Sequence, residues 1–200
     1  CGEIVKGLLQ FSRQTKANVE PQDINEIIRQ SVRLVQHKID LMSIRVEIDL
    51  DDTLNEIVCD GQQIKQALVA LLINACEAVP AGEGVFKIKS KYLPELRMAE
   101  LSIGDNGVGM DEETKKQIFE PFFTTKEQGK GVGLGLAVVY GIVTGHGGVI
   151  EVLSEPGEGT TFILRLPEHP HESAEVSSAD ATQVRDSLID NSILRVAGTH

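Results

Sequence analysis

No block of lysine and arginine runs through this chain: 19 basic residues stand against 30 acidic ones among 200, a formal charge of −11. That balance argues against nucleic acid or an anionic membrane as the main partner. No apolar run approaches the ~20 residues of a membrane span, and no signal peptide precedes the first patterned segment. The three cysteines, Cys1, Cys59 and Cys76, lack CxxC spacing, so reduced, cytoplasmic thiols are the expectation. An opening Met is missing as well. The chain, beginning at Cys1, is expected to be a piece of a longer protein, with any membrane anchor lying upstream of it.

Glycine is what the chain has in concentration. Between Ile103 and Val143 two clusters, Gly104 to Gly109 and Gly129 to Gly135, flank a short polar helix and a Glu120-Pro121-Phe122-Phe123 turn. Glycines this dense let a backbone take positive φ and approach a ligand closely, and the stretch reads as a nucleotide site. The first cluster ends a strand in which Leu101 and Ile103 alternate with Glu100 and Ser102, so the period of two sends Asp105 to the apolar face. A carboxylate there needs donors, which the exocyclic amine of a base would supply; Asp-Asn-Gly alone also reads as a hairpin turn. The second cluster leads into an apolar helix reaching about Gly145, whose free N–H groups and positive dipole end suit phosphate. It is no Walker A loop, because Gly131 stands where Ser or Thr should follow Lys130. A Rossmann fingerprint would instead follow a strand early in a βαβ unit.

The motifs together resemble the catalytic domains of sensor histidine kinases over roughly Ile44 to Pro167. Asp105-x-Gly107-x-Gly109, Glu120-Pro121-Phe122-Phe123-Thr124-Thr125-Lys126 and Gly131-x-Gly133-x-Gly135 are similar to that family's G1, F and G2 boxes. The segment LLINACEAV around Asn74 resembles its N box. His146-Gly147-Gly148 and the run from Ser154 to Phe162 resemble the way such domains finish. The resemblance implies an α/β (α+β) sandwich of the Bergerat ATP-binding type: a mixed five-stranded sheet with three main helices on one face.

Taken in order, residues 1–20 are expected to hold the end of a dimerisation-bundle helix, with Ile4, Leu8 and Phe11 on one stripe, and a linker. By the same resemblance, residues 21–167 are expected to form the ATP-binding catalytic domain. Asp23 and Glu26 form a capping box ahead of a helix whose apolar stripe reads Ile24, Ile27, Ile28, Leu34, Val35, Ile39 and Met42. Strands follow at 43–50 and 56–59, joined by Asp51-Asp52-Thr53. Asp60 caps a helix with a core stripe of Ile64, Ala67, Leu68, Leu71, Leu72 and Ala75 and with Asn74 on its edge. Strands are then expected at 85–92 and 98–104, a polar helix near 111–117, a mobile lid at 127–130, and closing strands at 148–154 and 160–166. From residue 168 to 200 the acidic, Ser- and Ala-rich composition predicts a disordered or weakly docked tail.

The resemblance implies Mg²⁺-ATP as ligand. Adenine is expected against Ile103, Val108 and Phe162, with its amine on Asp105 and Thr160 nearby through water. Gly107, Gly109, Lys126, Lys130, Gly131, Val132, Gly133, Leu134 and Gly135 are expected to line the nucleotide, and Asn74 to coordinate the metal. The γ-phosphoryl would pass to a His on the dimerisation bundle of a homodimeric full-length protein, and then to an Asp of a response-regulator receiver domain. No His here carries the phosphoacceptor motif: His37, His146, His169 and His200 lack it, and His171-Glu172 continues Ser-Ala-Glu. Three positions depart from the family pattern. Ala70 stands where Asn is frequent, Glu77 where Lys is frequent, and Val132 where Thr is frequent. A gyrase- or chaperone-like ATPase of the same fold, or a regulatory nucleotide binder without turnover, are the alternatives.

Overall fold

A computed structural model describes residues 18–54, 56–126 and 132–169. The expectations placed on residues 1–17, on 127–131 with Lys130 and Gly131, and on 170–200 with His171 lie outside the described residues. In chain order the elements are β1 (Val19–Gln22), α1 (Ile24–Leu41), β2 (Arg45–Asp49), β3 (Ile57–Asp60), α2 (Gly61–Ala78), β4 (Val85–Leu93), β5 (Met98–Asp105), α3 (Glu112–Gln117), α4 (Gly135–Gly145), β6 (Val149–Glu155) and β7 (Gly159–Pro167).

Short polar side chains start the helices. Asp23 Oδ1 accepts the Glu26 amide at 3.0 Å and opens α1. The reciprocal half of a capping box is not made, because Glu26 Oε1 instead takes Gln30 at 3.1 Å and Arg33 at 2.7 Å. Ile24, Ile27, Ile28, Val32, Val35 and Ile39 face inward, three and four residues apart. Leu34, expected among them, is 66% exposed: it lies about 100° round the helix from Val35, and Val32 completes the stripe. Asp60 Oδ1 accepts the amides of Gln62 and Gln63 at the start of α2, which buries the six residues expected of it and Cys76. Asn25 and Ser31 share the buried face of α1. Asn25 is satisfied by the Asp51 carbonyl at 2.9 Å and the Ser90 hydroxyl at 2.7 Å.

Five strands form one mixed sheet in the order β2-β4-β5-β7-β6, with β2 and β4 parallel and the other neighbours antiparallel. Helix α2 packs between α1 and α4, and α2 and α4 lie against the sheet. Its inner face supplies Phe86, Ile88, Leu101, Ile103, Phe162, Leu164 and Leu166 to the core. On the outer face Arg165 bridges Glu100 at 2.7 Å and Glu151 at 2.9 Å. The expected sandwich, five strands covered on one face by three main helices, is therefore present.

Two expected details differ. The strands read at 43–50 and 56–59 do not share a sheet, since β2 joins β4 while β3 pairs antiparallel with β1. β1 crosses the linker boundary expected at residue 20; Val19-Glu20-Pro21-Gln22 has a single strongly apolar residue and a proline, so no alternation marks it as a strand. Past β7, Glu168 is still fastened to the domain. Its carbonyl accepts the Val58 amide and its own amide donates to the Arg97 carbonyl, each at 2.9 Å. Its carboxylate also takes the Tyr92 hydroxyl and Arg97 Nε at 3.2 Å. Burial pushes the Cys59 thiol up to about 12, and raises Cys76 too, so both are inert core groups. No helix among the described residues is long and apolar enough to cross a membrane.

Candidate functional site

The ends of β5 and β7 place Asp105 opposite Thr160. Beyond them a cavity of about 480 Å³ opens between the sheet, α2, α3 and the start of α4, within the ~300–1,000 Å³ typical of ligand sites. Phe162, Ile118 and Met110 give it apolar walls, and Val108, 71% exposed, stands at its rim. Phe162 is braced edge-on by Phe119, with ring centroids 6.5 Å apart.

Asp105 is the polar floor. The Gly107 amide donates to its Oδ1 at 2.8 Å, which fixes the carboxylate and leaves acceptor capacity for a ligand. Burial pushes this carboxyl above its ordinary value, and the Gly107 and Thr160 amides pull it back only in part. Beside it Ser154 Oγ accepts the Met110 amide at 2.9 Å and lies 2.8 Å from the Gly159 carbonyl and 2.9 Å from Thr160 Oγ1. With its one proton on Gly159, Ser154 receives the proton of Thr160, and the Thr160 oxygen keeps its lone pairs for the cavity.

At the opposite end α4 begins without a side-chain cap at Leu134, and Leu134, Gly135 and Leu136 line the cavity. Uncapped amides and the helix dipole there suit an anion. Asn74 lies next to this terminus, its Nδ2 3.8 Å from where a Cβ on Gly135 would stand. No hydrogen bond joins its carboxamide to another described residue. Glu77, one turn on, also lines the cavity. Its Oε2 is ion-paired with Lys126, and its Oε1 lies 3.2 Å from Lys38 Nζ.

Of the residues singled out from sequence, Asn74, Asp105, Gly109, Lys126, Val132, Gly133, Leu134, Gly135 and Thr160 line one cavity. Gly109 needs its missing side chain: at φ +65° a Cβ would lie 1.9 Å from the Glu155 carbonyl. Gly107 does not line the cavity. It packs on α2, where a Cβ would lie 2.6 Å from the Ala78 carbonyl, and serves through its amide on Asp105. Ile103, expected as a wall for the base, is buried with Ile28, Leu68 and Leu72, because it sits two residues, about 7 Å, deeper along β5. Lys126 is at the cavity but not free, being held by Glu77. Met110, Thr114, Ile118 and Ser154 were missed. The two apolar residues flanking a polar helix were the available signal for Met110 and Ile118.

A divalent cation fits this donor set in one manner only. Among the described residues no three His, Cys, Asp or Glu side chains converge on one point. One carboxamide and one nearby carboxylate suit a hydrated Mg²⁺ whose other partners are phosphate oxygens and water.

Comparison with known proteins places this geometry in context. The sequence profile described as histidine kinase-, DNA gyrase B-, and HSP90-like ATPase matches residues 59–170. Sporulation kinase E of Bacillus subtilis is 35% identical over 164 residues, covering 82% of this chain and 22% of that protein. The chain thus spans less than a quarter of that relative's length. The solved catalytic domain of the histidine kinase ThkA is 34% identical with a TM-score of 0.68, over 76% of this chain and 97% of that one. The structure of ThkA in complex with the response regulator protein TrrA matches with 31% identity and a TM-score of 0.71, over 86% of this chain and 48% of that one.

Proposed function

The chain belongs to the histidine kinase-, DNA gyrase B- and HSP90-like ATPase family, as a sensor histidine kinase catalytic domain, and from that premise we propose that it binds Mg²⁺-ATP and phosphorylates a histidine. The acceptor is a histidine on a dimerisation bundle of the same, homodimeric protein, outside the described residues. A response-regulator aspartate receives the phosphoryl group next, a partner supported by the ThkA–TrrA complex. The reaction takes place in the cytoplasm.

The observation that carries the reading is the pairing, in one cavity, of the half-buried Asp105 carboxylate with Asn74, which has no hydrogen-bond partner among the described residues, beside a helix N-terminus. Asp105 accepts the adenine amine, with Thr160 reaching the base through water and Phe162 and Val108 lying along it. The uncapped start of α4, with Gly133 to Gly135, takes the phosphates. Lys126 and Val132 complete the phosphate end of the cavity, and Lys130 and Gly131, outside the described residues, are further nucleotide contacts in this reading. Asn74 holds Mg²⁺, which supplies charge neutralisation on the triphosphate when bound. Phosphoryl transfer needs mainly positioning and such neutralisation.

The site favours transfer over hydrolysis. In gyrase-like enzymes a Glu one turn before the metal Asn activates water; here that position is Ala70. The carboxyl of Glu77 is a poor substitute. Burial pushes it up, but the ion pairs to Lys126 and Lys38 outweigh that and hold it below the usual carboxylate range. Without a general base, hydrolysis is slowed by a factor of typically ~10²–10⁴.

Calorimetric titration with ATP tests the reading. The wild type should bind ATP, and Asp105→Asn should lose at least about tenfold in affinity, because an amide NH₂ facing the adenine amine leaves buried donors unmatched at ~1–3 kcal/mol. Equal affinities would refute the adenine assignment.

A further inference from the structure

Glu77 is an odd residue to find at the phosphate end of a cavity built for a polyanion. It follows Asn74 by three residues on α2, so the two side chains leave the same helix face, and both line the cavity. Its carboxylate is shared: Oε2 holds Lys126, at the end of the Phe122-Phe123-Thr124-Thr125 segment, and Oε1 lies 3.2 Å from Lys38 on α1. Two ammonium groups on one carboxylate leave the cluster with a net positive charge. All three side chains are about one-third exposed, so both ion pairs can open at small cost.

From this arrangement, and resting on the nucleotide reading above, we propose that Glu77 is the carboxylate of the metal shell. When the triphosphate enters, Lys126 turns from Glu77 to a phosphate oxygen, and the freed Oε2 accepts a hydrogen bond from water on the divalent cation held by Asn74. Lys38 stays on Oε1 and keeps the carboxylate aimed at the cavity. Mg²⁺ dehydrates reluctantly and retains several waters, so a carboxylate one turn from the Asn74 carboxamide reaches the ion through one of them. Glu77 then makes nucleotide binding conditional on the cation. Without metal it faces the triphosphate as a like charge; with metal it faces a cation. A single lysine at this position would attract the triphosphate in either case.

The test is ATP affinity by calorimetry with excess Mg²⁺ and again with EDTA, on the wild type, Glu77→Gln and Glu77→Lys. Adenosine affinity serves as the control for folding of the base end. The gain in affinity on adding Mg²⁺ should fall about three- to fivefold from wild type to Glu77→Gln, the range expected of one partly exposed charge pair. It should fall further in Glu77→Lys, with adenosine binding equal in all three. The EDTA arm should show both variants binding ATP more tightly than the wild type. A Mg²⁺ gain that is the same for Glu, Gln and Lys, in chains that do bind ATP, would overturn the role of Glu77 and leave the nucleotide reading standing. Absence of ATP binding in the wild type would overturn both.

Discussion

The amide of Asp60 donates to Nε2 of His146 at 3.0 Å across 86 residues of chain, while Nδ1 of the same ring lies 2.7 Å from the Ile142 carbonyl. Because an amide can only donate, Nε2 is the acceptor and Nδ1 carries the proton. One buried ring therefore ties the C-terminus of α4 to the residue that caps α2. These are the two helices that carry the phosphate end of the cavity.

His146→Ala should strand that amide and the Ile142 carbonyl in the core. A loss of about 1–3 kcal/mol in urea unfolding is expected, with adenosine affinity of the folded chain kept. An unchanged unfolding midpoint would mean that water satisfies Asp60 equally well.

Asp105 is expected to oppose stability where it serves binding. Its carboxyl is raised above the ordinary 3.8 because burial outweighs the Gly107 and Thr160 amides. A carboxyl raised in the folded state holds its proton more tightly there than in the unfolded chain. Its contribution to stability is whole below 3.8 and is lost as pH rises through the folded-state value. Asp105→Asn should thus leave the nucleotide-free chain at least as stable as wild type at neutral pH. ATP affinity runs the other way: it needs the ionised carboxylate and should fall as pH is lowered through the raised value. Urea unfolding and calorimetry across that range check both slopes, and a variant clearly less stable at neutral pH would contradict this account.

The layered fold was legible in the sequence because its signals are local. Capping aspartates at 23 and 60, apolar stripes three and four apart, and alternation along β4, β5 and β7 each lie within one element. What could not be read depends on pairs far apart in the chain. β1 owes its existence to β3, not to its own composition; Leu34 is a different case, since Val32, four residues after Ile28 and three before Val35, was the position the local spacing favoured. In the site, the glycine clusters, Asp105 and Asn74 carried their chemistry in short motifs. The Glu77 cluster did not, since Lys38, Glu77 and Lys126 meet only after three elements have packed. Gly107 was assigned to the ligand because a motif cannot distinguish a glycine that touches the nucleotide from one that lets a loop close on a helix.

Gly133 joins the second glycine cluster to the Phe122-Phe123 turn. At φ +69° its Cβ position falls 2.5 Å from the Phe122 carbonyl carbon, and its own carbonyl accepts the Phe122 amide at 2.8 Å. Gly133→Ala meets both a left-handed backbone costing about 1–2 kcal/mol and a backbone clash. ATP affinity should drop at least about tenfold, a loss near 1.4 kcal/mol, while adenosine affinity changes much less. Loss of adenosine binding to the same degree would show that the damage is not confined to the phosphate end.

The most direct test of the account is phosphoryl transfer in trans. With γ-labelled ATP the chain alone should acquire no acid-labile phosphate, since none of its five histidines carries the phosphoacceptor motif. With the proposed phosphoacceptor bundle supplied as a separate chain, label should appear on the bundle histidine, and free phosphate should accumulate only slowly. Rapid phosphate release by the chain alone, abolished by Glu77→Gln and leaving the bundle unlabelled, would mean an ATPase and would contradict the histidine-kinase reading.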